Sequence, residues 1–225
     1  MTKTRRWLIV PFVLLLISAL FFPAIIVFAA PDTAVTVEPT PKKVGIGETF
    51  TVDIYVTPDT DIAGAQFDLS FTPSVITANS VTEGNLLSPG GSTYFDEGTI
   101  NNGAGTITDV AGVITAAASV SSPGTFATIS FTAGTTVGTS PLDLSNVIVG
   151  NPSGEPVATT VTDGSVTVYA DWDVNMDGSV NVFDMILVGD HWGQSGAAHW
   201  IREDCKRDGA INVLDMILIG QYWTG

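Results

Sequence analysis

"TFTVDIYVTPDTDIAGAQFDLSF", residues 49–71, alternates apolar and polar side chains through two runs separated by a turn. Phe50, Val52, Ile54 and Val56 share one face of the first run, while Thr51, Asp53, Tyr55 and Thr57 share the other. Ala65, Phe67, Leu69 and Phe71 repeat the pattern after "TPDTD" at residue 57. A period of two is the mark of a strand with one buried face. Outward from this stretch, the alternation returns at Ala127, Ile129 and Phe131. Turn signals punctuate the rest: "SPGG" at 88, "NNGAG" at 101, "SSPG" at 121 and "NPSGEP" at 151. Helical periodicity is absent from residues 33–170. The spacing predicts about nine short strands in an antiparallel β-sandwich, mainly β and large enough to bury its own core.

The ends of the chain follow other rules. Lys3, Arg5 and Arg6 precede an uncharged run from Trp7 to Ala30, and "VFAA" at 27–30 offers small residues for cleavage after Ala29. This pattern predicts export, to the extracellular medium or the cell surface, with residues 1–30 a signal peptide or an N-terminal membrane anchor. The run exceeds the roughly 7–15 residues of a usual signal core, so an uncleaved anchor over residues 7–30 stays open as the one route to a membrane. Beyond residue 30 the basic residues are Lys42, Lys43, Arg202, Lys206 and Arg207, against 23 acids, giving 5 − 23 = −18. Such a surface repels phosphate backbones, and nucleic acid is not an expected partner. Cys205 is the single cysteine, which excludes an internal disulfide.

After Tyr169 the grammar changes, and the short joint "YAD" predicts two modules close together, residues 31–170 and 171–225. "DVNMDGSVNVFDMILVGDHW" from Asp173 recurs as "DCKRDGAINVLDMILIGQYW" from Asp204, with 11 identities in 20 positions. This is a tandem repeat. A calcium loop needs oxygens at positions 1, 3, 5, 7 (a carbonyl), 9 and 12, with glycine at 6. The first copy supplies Asp173, Asn175, Asp177, the Ser179 carbonyl, Asn181 and Asp184, with Gly178 at the turn. The second supplies Asp204, Asp208, the Ala210 carbonyl, Asn212 and Asp215, with Gly209 at the turn. Its position 3 is Lys206, whose ammonium cannot ligate a cation. The expectation is therefore two Ca²⁺ sites, the second weaker, with Lys206 swung outward and Glu203 as the nearest spare carboxylate. Val180 and Ile211, at position 8, are expected to pair the loops. One helix follows each loop, Val182 to about His191 and Val213 to about Tyr222, and no helix enters the first loop, which makes a small α module of two EF-hand-like loop–helix repeats. Trp192 and Trp223 are expected as clasp or core residues, and His191 and His199 as surface residues.

A duplicated calcium loop plus helix without an entering helix resembles a dockerin module of type I organisation, over residues 171–225. "VTVEPTPKKVGIGETFTVDIYVTPDTDIAGAQFDLSFTPSVITANSVTEG", "GTFATISFTA" and "TDGSVTV" are similar to cohesin modules, over about residues 33–169. The cohesin resemblance implies a nine-stranded jelly-roll sandwich. Together the two imply a secreted adaptor of a cellulosome-like assembly: a dockerin-bearing protein for the sandwich and a cohesin-bearing protein for the C-terminal module. The dockerin resemblance also implies recognition through positions 10 and 11, here Val182, Phe183, Val213 and Leu214, more apolar than the small hydroxyl residues of many dockerins. Self-association, head to tail, is a further expectation of carrying both modules.

Two other classes remain to be weighed. A carbohydrate-binding sandwich needs exposed aromatic rings, but residues 33–170 hold no tryptophan and only Tyr94 with Phe95 as an exposed candidate pair. For an enzyme, Asp53, Asp68 and Asp109 fall on polar strand faces, but nothing sets two of them apart as a pair. The sandwich has neither His nor Cys, so no catalytic residue is expected.

Overall fold

A computed structural model describes residues 32–225. The signal peptide or anchor expected over residues 1–30 lies outside them. Among the described residues no helix is long and apolar enough to cross a membrane.

The alternating segments form β1 (Thr33–Glu38), β2 (Lys42–Gly45), β3 (Thr49–Thr57), β4 (Gly64–Ser70), β5 (Ile76–Glu83) and β6 (Thr93–Asp96). They continue as β7 (Thr99–Asn101), β8 (Thr106–Ile114), β9 (Gly124–Ala133), β10 (Gly138–Gly150), β11 (Thr159–Thr162) and β12 (Gly164–Tyr169). One sheet runs β11-β1-β3-β9-β5, and the other runs β2-β12-β10-β4-β8-β6, with β7 also on β8. The nine expected strands thus appear as twelve segments. Pro39 and Pro41 lack the N–H a ladder needs, and the chain passes from β1 in one sheet to β2 in the other across them. β11 and β12 change sheets in the same way across Asp163. β6 and β7 keep one register on β8 and are parted only at 97–98. Two sheet pairings are parallel, β1 with β11 and β2 with β12; the rest are antiparallel.

The inward faces supply the core. Val52, Ile54, Phe67, Leu69, Ile129 and Phe131 are all buried. Phe67 of one sheet meets Phe126 of the other edge to face, 6.0 Å between centroids, and Phe71 meets Phe131 at 5.5 Å. Phe95 packs on Phe126 at 5.8 Å, so the expected exposed pair Tyr94–Phe95 is corrected: only Tyr94 faces solvent. The β6 pleat turns Phe95 inward.

A second, smaller core lies after residue 171, around α1 (Val182–Asp190) and α2 (Val213–Gln221). Its buried members come in pairs at matching positions of the two copies: Val174 with Cys205, Val180 with Ile211, Val188 with Ile219. Met216 lies against Gly189 of the first helix and Met185 against Gly220 of the second. Both cores belong to one compact unit, Pro31–Gly225.

Candidate cation loops and docking faces

Each helix start is built twice over by the same residues. Asn181 caps α1 by accepting the Phe183 N–H at 2.8 Å, and Asp184 reaches back to the Asn181 N–H at 2.8 Å. Asn212 and Asp215 repeat this at α2, at 2.8 and 2.9 Å. Such reciprocal caps satisfy donors that a helix start leaves open. The cap role of Asn181 and Asn212 was not drawn from the sequence, although Asn-x-x-Asp before an apolar run is its signal.

The carboxylates at positions 1 and 12 are enclosed. Asp173, Asp184, Asp204 and Asp215 are buried, while Asp177 and Asp208 stay more open to solvent. Asp173 accepts the Asp177 and Gly178 N–H groups at 3.2 and 3.0 Å, and Asp184 accepts that of Asn175 at 3.2 Å. In the second loop Asp204 accepts from Asp208 and Gly209, both at 3.0 Å, and Asp215 from Lys206 at 3.0 Å. Burial pushes the Asp173 carboxyl up; the Gly178 and Asp177 N–H groups pull against this, and the neighbouring Asp184 and Asp177 charges add to it. Among the described residues no three Asp, Glu, His or Cys side chains converge on one point; backbone N–H groups hold the acids instead. The donor set nevertheless fits a hard cation: paired buried carboxylates, none of them in a salt bridge among the described residues, and oxygen-bearing Asn or carbonyl groups between them.

Several expectations need correction. Val180 and Ile211 do share the small core through their side chains, while their backbones bond elsewhere. The Thr224 N–H donates to the Val180 carbonyl at 2.9 Å, and the Gly193 N–H donates to the Ile211 carbonyl at 2.9 Å, so donor and acceptor are both shifted by one repeat. Position 8 therefore bonds the segment leaving the other helix, and only the side chains share the core. Trp192 and Trp223 are exposed; the residues that clasp the repeat are Trp172 and Tyr222, stacked at 3.6 Å. At the equivalent place in the other copy, His191 meets Glu203 at 3.4 Å, so Glu203 is not spare and His191 is half-covered. Lys206 is not swung clear of its loop: its ammonium lies 3.6 Å from the Asp208 carboxylate. Cys205 is buried, and desolvation pushes its thiol up to about 12. Val174 at the same repeat offset was the signal that Cys205 is a small core residue.

Two faces remain open. Val182, Phe183 and Ile186 on α1, and Val213, Leu214 and Ile217 on α2, are exposed at matching offsets, Phe183 by 62%. On the sandwich, Ile148, Gln66 and Ala111 align across β10, β4 and β8, and Tyr94 pairs with Val113 beside them. Gly64 and Gly150 leave a shallow depression of about 340 Å³ between these side chains. Asp68 stabilises two bulges at its margin, accepting the Asp109 N–H at 2.7 Å and the Asn146 amide. Asp53 accepts the Thr128 hydroxyl at 2.6 Å on the other sheet.

A family model of the cohesin domain matches residues 34–168. No curated protein sequence matches the chain. Among solved structures, a non-cellulosomal cohesin from the hyperthermophilic archaeon Archaeoglobus fulgidus superposes with a TM-score of 0.50 at 14% identity, over 66% of this chain and 99% of its own. A structure from Clostridium thermocellum described as a novel type I cohesin–dockerin complex gives 0.52 at 14% identity, over 62% of this chain and 100% of the matched one. The sixth cohesin of scaffoldin B from Acetivibrio cellulolyticus, solved with a Cel5 dockerin mutant, gives 0.51 at 15% identity, over 62% and 100%. These likenesses share the sandwich.

Proposed function

The chain belongs to the cohesin family, whose domains are non-catalytic modules of cohesin–dockerin assembly, and on that premise we propose that it is a secreted adaptor that docks at both ends. The sandwich receives a dockerin-bearing protein on the face around Tyr94, Val113 and Ile148. The C-terminal repeat acts as a dockerin, and Val182, Phe183, Val213 and Leu214 meet a cohesin-bearing partner. Two Ca²⁺ ions are held by Asp173, Asn175, Asp177, Ser179, Asn181 and Asp184, and by Asp204, Asp208, Ala210, Asn212 and Asp215. The ions supply the positive charge that buried carboxylates need, and the chain's own residues do the rest: Asn181 and Asn212 start the helices, and the helices present the apolar residues.

One observation carries this reading. The four carboxylates that order the loops are buried, while the apolar side chains just before the position 12 acids, Val182 and Phe183 in one copy and Val213 and Leu214 in the other, are exposed. Exposed apolar patches on a soluble surface mark contact sites. Beyond residue 30 the chain carries 5 − 23 = −18, so a second copy is a like-charged partner. The assembly is placed outside the cell on the pattern of residues 1–30.

The test immobilises the full chain and offers it dockerin-bearing proteins, cohesin-bearing proteins and insoluble polysaccharide, each with calcium and with chelator. Retention of both protein classes, with the cohesin-bearing class released by chelator, is the expected outcome. Retention of polysaccharide alone overturns the adaptor reading in favour of a carbohydrate-binding sandwich.

A further inference from the structure

Beyond residue 30 the chain has five basic residues, and three of them bridge its two halves. Lys43 of β2 donates to the Met176 carbonyl at 2.5 Å. Arg202 donates to the Ala170 and Asp173 carbonyls, both at 2.9 Å, and its other nitrogen lies 3.6 Å from Glu48. Arg207 binds Asp171 through two nitrogens at 2.7 and 2.8 Å and reaches the Ile46 carbonyl at 2.6 Å. In a chain of charge 5 − 23 = −18 past residue 30, this concentration of cations marks where attraction between the halves resides.

Met176 and Arg207 both occupy position 4 of their loops, and both adopt left-handed backbone, with φ of 53° and 59°. The residues on either side of each are tied to the buried carboxylates. Around Met176, the Asn175 N–H goes to Asp184 and the Asp177 N–H to Asp173. Around Arg207, the Lys206 N–H goes to Asp215 and the Asp208 N–H to Asp204. Each bridging tip therefore stands on the two acids that most need a counter-charge.

We propose that the two loops latch the C-terminal repeat onto the sandwich, and that the latch closes only when the loops are ordered around a divalent cation. This rests on the cation reading above. Without a counter-charge the position 1 and position 12 carboxylates repel, the N–H groups that frame Met176 and Arg207 lose their anchors, and the bridges from Met176 to Lys43 and from Arg207 to Ile46 open. The closed latch directs the loop tips inward and leaves both helix faces free for a partner. By linkage, the factor by which the cation favours the closed latch equals the factor by which the closed latch favours the cation.

The test compares the full chain with its Lys43→Gln/Arg207→Gln double variant, in calcium and in chelator. Readouts are titration calorimetry, small-angle scattering, far-ultraviolet circular dichroism and tryptic cleavage after Arg202. The parent chain is expected compact and slowly cut in calcium, and extended and rapidly cut in chelator. The double variant, its helix signal retained, is expected to bind two calcium ions about tenfold more weakly, the equivalent of about 1.4 kcal/mol, and to be extended and rapidly cut even in calcium. Gly45→Ala probes the latch without removing a charge: its Cβ would lie 2.2 Å from the Arg202 guanidinium, and its expected effect has the same sign. A double variant as compact and calcium-tight as the parent overturns the latch. A double variant that opens while chelator leaves the parent compact overturns the cation dependence. A parent chain with no calcium heat and no response to chelator overturns the cation reading itself.

Discussion

The two copies of the repeat share a skeleton and are closed by opposite chemistry. Where Trp172 stacks on Tyr222 at one end, Glu203 pairs with His191 at the other, from the matching positions of the opposite copies. Their surroundings differ too. The segment between the copies folds over the second loop: the Gly196 N–H donates to the Gly209 carbonyl at 3.0 Å, the Ile211 N–H to the Gln194 carbonyl at 3.0 Å, and the His199 N–H to Asp204 at 2.6 Å. Gly209 is buried as a result, whereas Gly178 is exposed. The first loop instead borders a cleft of about 400 Å³ walled by Val137, Tyr169 and Trp172. A ligand pattern written twice in the sequence thus sits once under cover and once beside an opening. The pattern specifies what each loop can hold, and the cover decides how rigidly it is held.

The largest test of this difference removes the position 12 carboxylates. Asp184→Ala and Asp215→Ala each strip an acceptor from two backbone N–H groups and uncap a helix. Each is expected to cost about 3 kcal/mol in calcium and to lower the calorimetric stoichiometry from two ions to one. Because the second loop also carries the covering segment, Asp215→Ala is expected to lose more in urea unfolding than Asp184→Ala. Equal losses, with stoichiometry unchanged, would show that neither carboxylate holds an ion.

A smaller effect separates the turns. Gly178 and Gly209 have φ of 89° and 79°, where a side chain is strained, so alanine at either costs about 1 kcal/mol from backbone alone. A Cβ on Gly178 meets nothing within 4 Å, but one on Gly209 would lie 2.7 Å from the Gly196 carbonyl. Gly209→Ala is therefore expected to cost about 2 kcal/mol or more, with exchange of the Gly196 amide hydrogen accelerated. Matching losses for the two variants in urea would mean that the cover yields freely.

What was legible in the chain divides along physical lines. Period-two alternation at Phe50–Val56 and Ala65–Phe71 specified strands and their buried faces, because side-chain direction in a strand is local. The passage of β1 into β2 and of β11 into β12 between sheets was not legible, since it depends on which distant strand each half meets. The helix starts at Val182 and Val213 were legible because loop offsets are local. The clasp was not: Trp192 and Trp223 carry the stronger aromatic signal, but the partner of Tyr222 is Trp172, at the far end of the repeat. Cys205 and the role of Glu203 could have been read by carrying burial from Val174 and pairing geometry from Trp172 across the repeat.

The smallest expected effect falls at position 3, where the copies differ in a single donor. Asn175 accepts the Asp177 N–H at 3.0 Å and donates to the Asp177 carboxylate at 2.8 Å, so its side chain already belongs to the loop. Lys206 reaches the matching Asp208 carboxylate from 3.6 Å as an ammonium, offering repulsion to a bound cation where Asn175 offers an oxygen. Lys206→Asn is expected to tighten the second ion about tenfold, and Asn175→Lys to loosen the first by a similar factor. Affinity and release rate then become separable. With Lys206→Asn both loops carry matching side-chain donors, and the cover over Asp204 and Gly209 is what distinguishes them, so the second ion should leave more slowly than the first in stopped-flow mixing with a fluorescent chelator. If the repaired loop still binds the more weakly, the charge of Lys206 is not what sets the order, and the enclosure that fixes Asp204 must hold its carboxylate away from the ion.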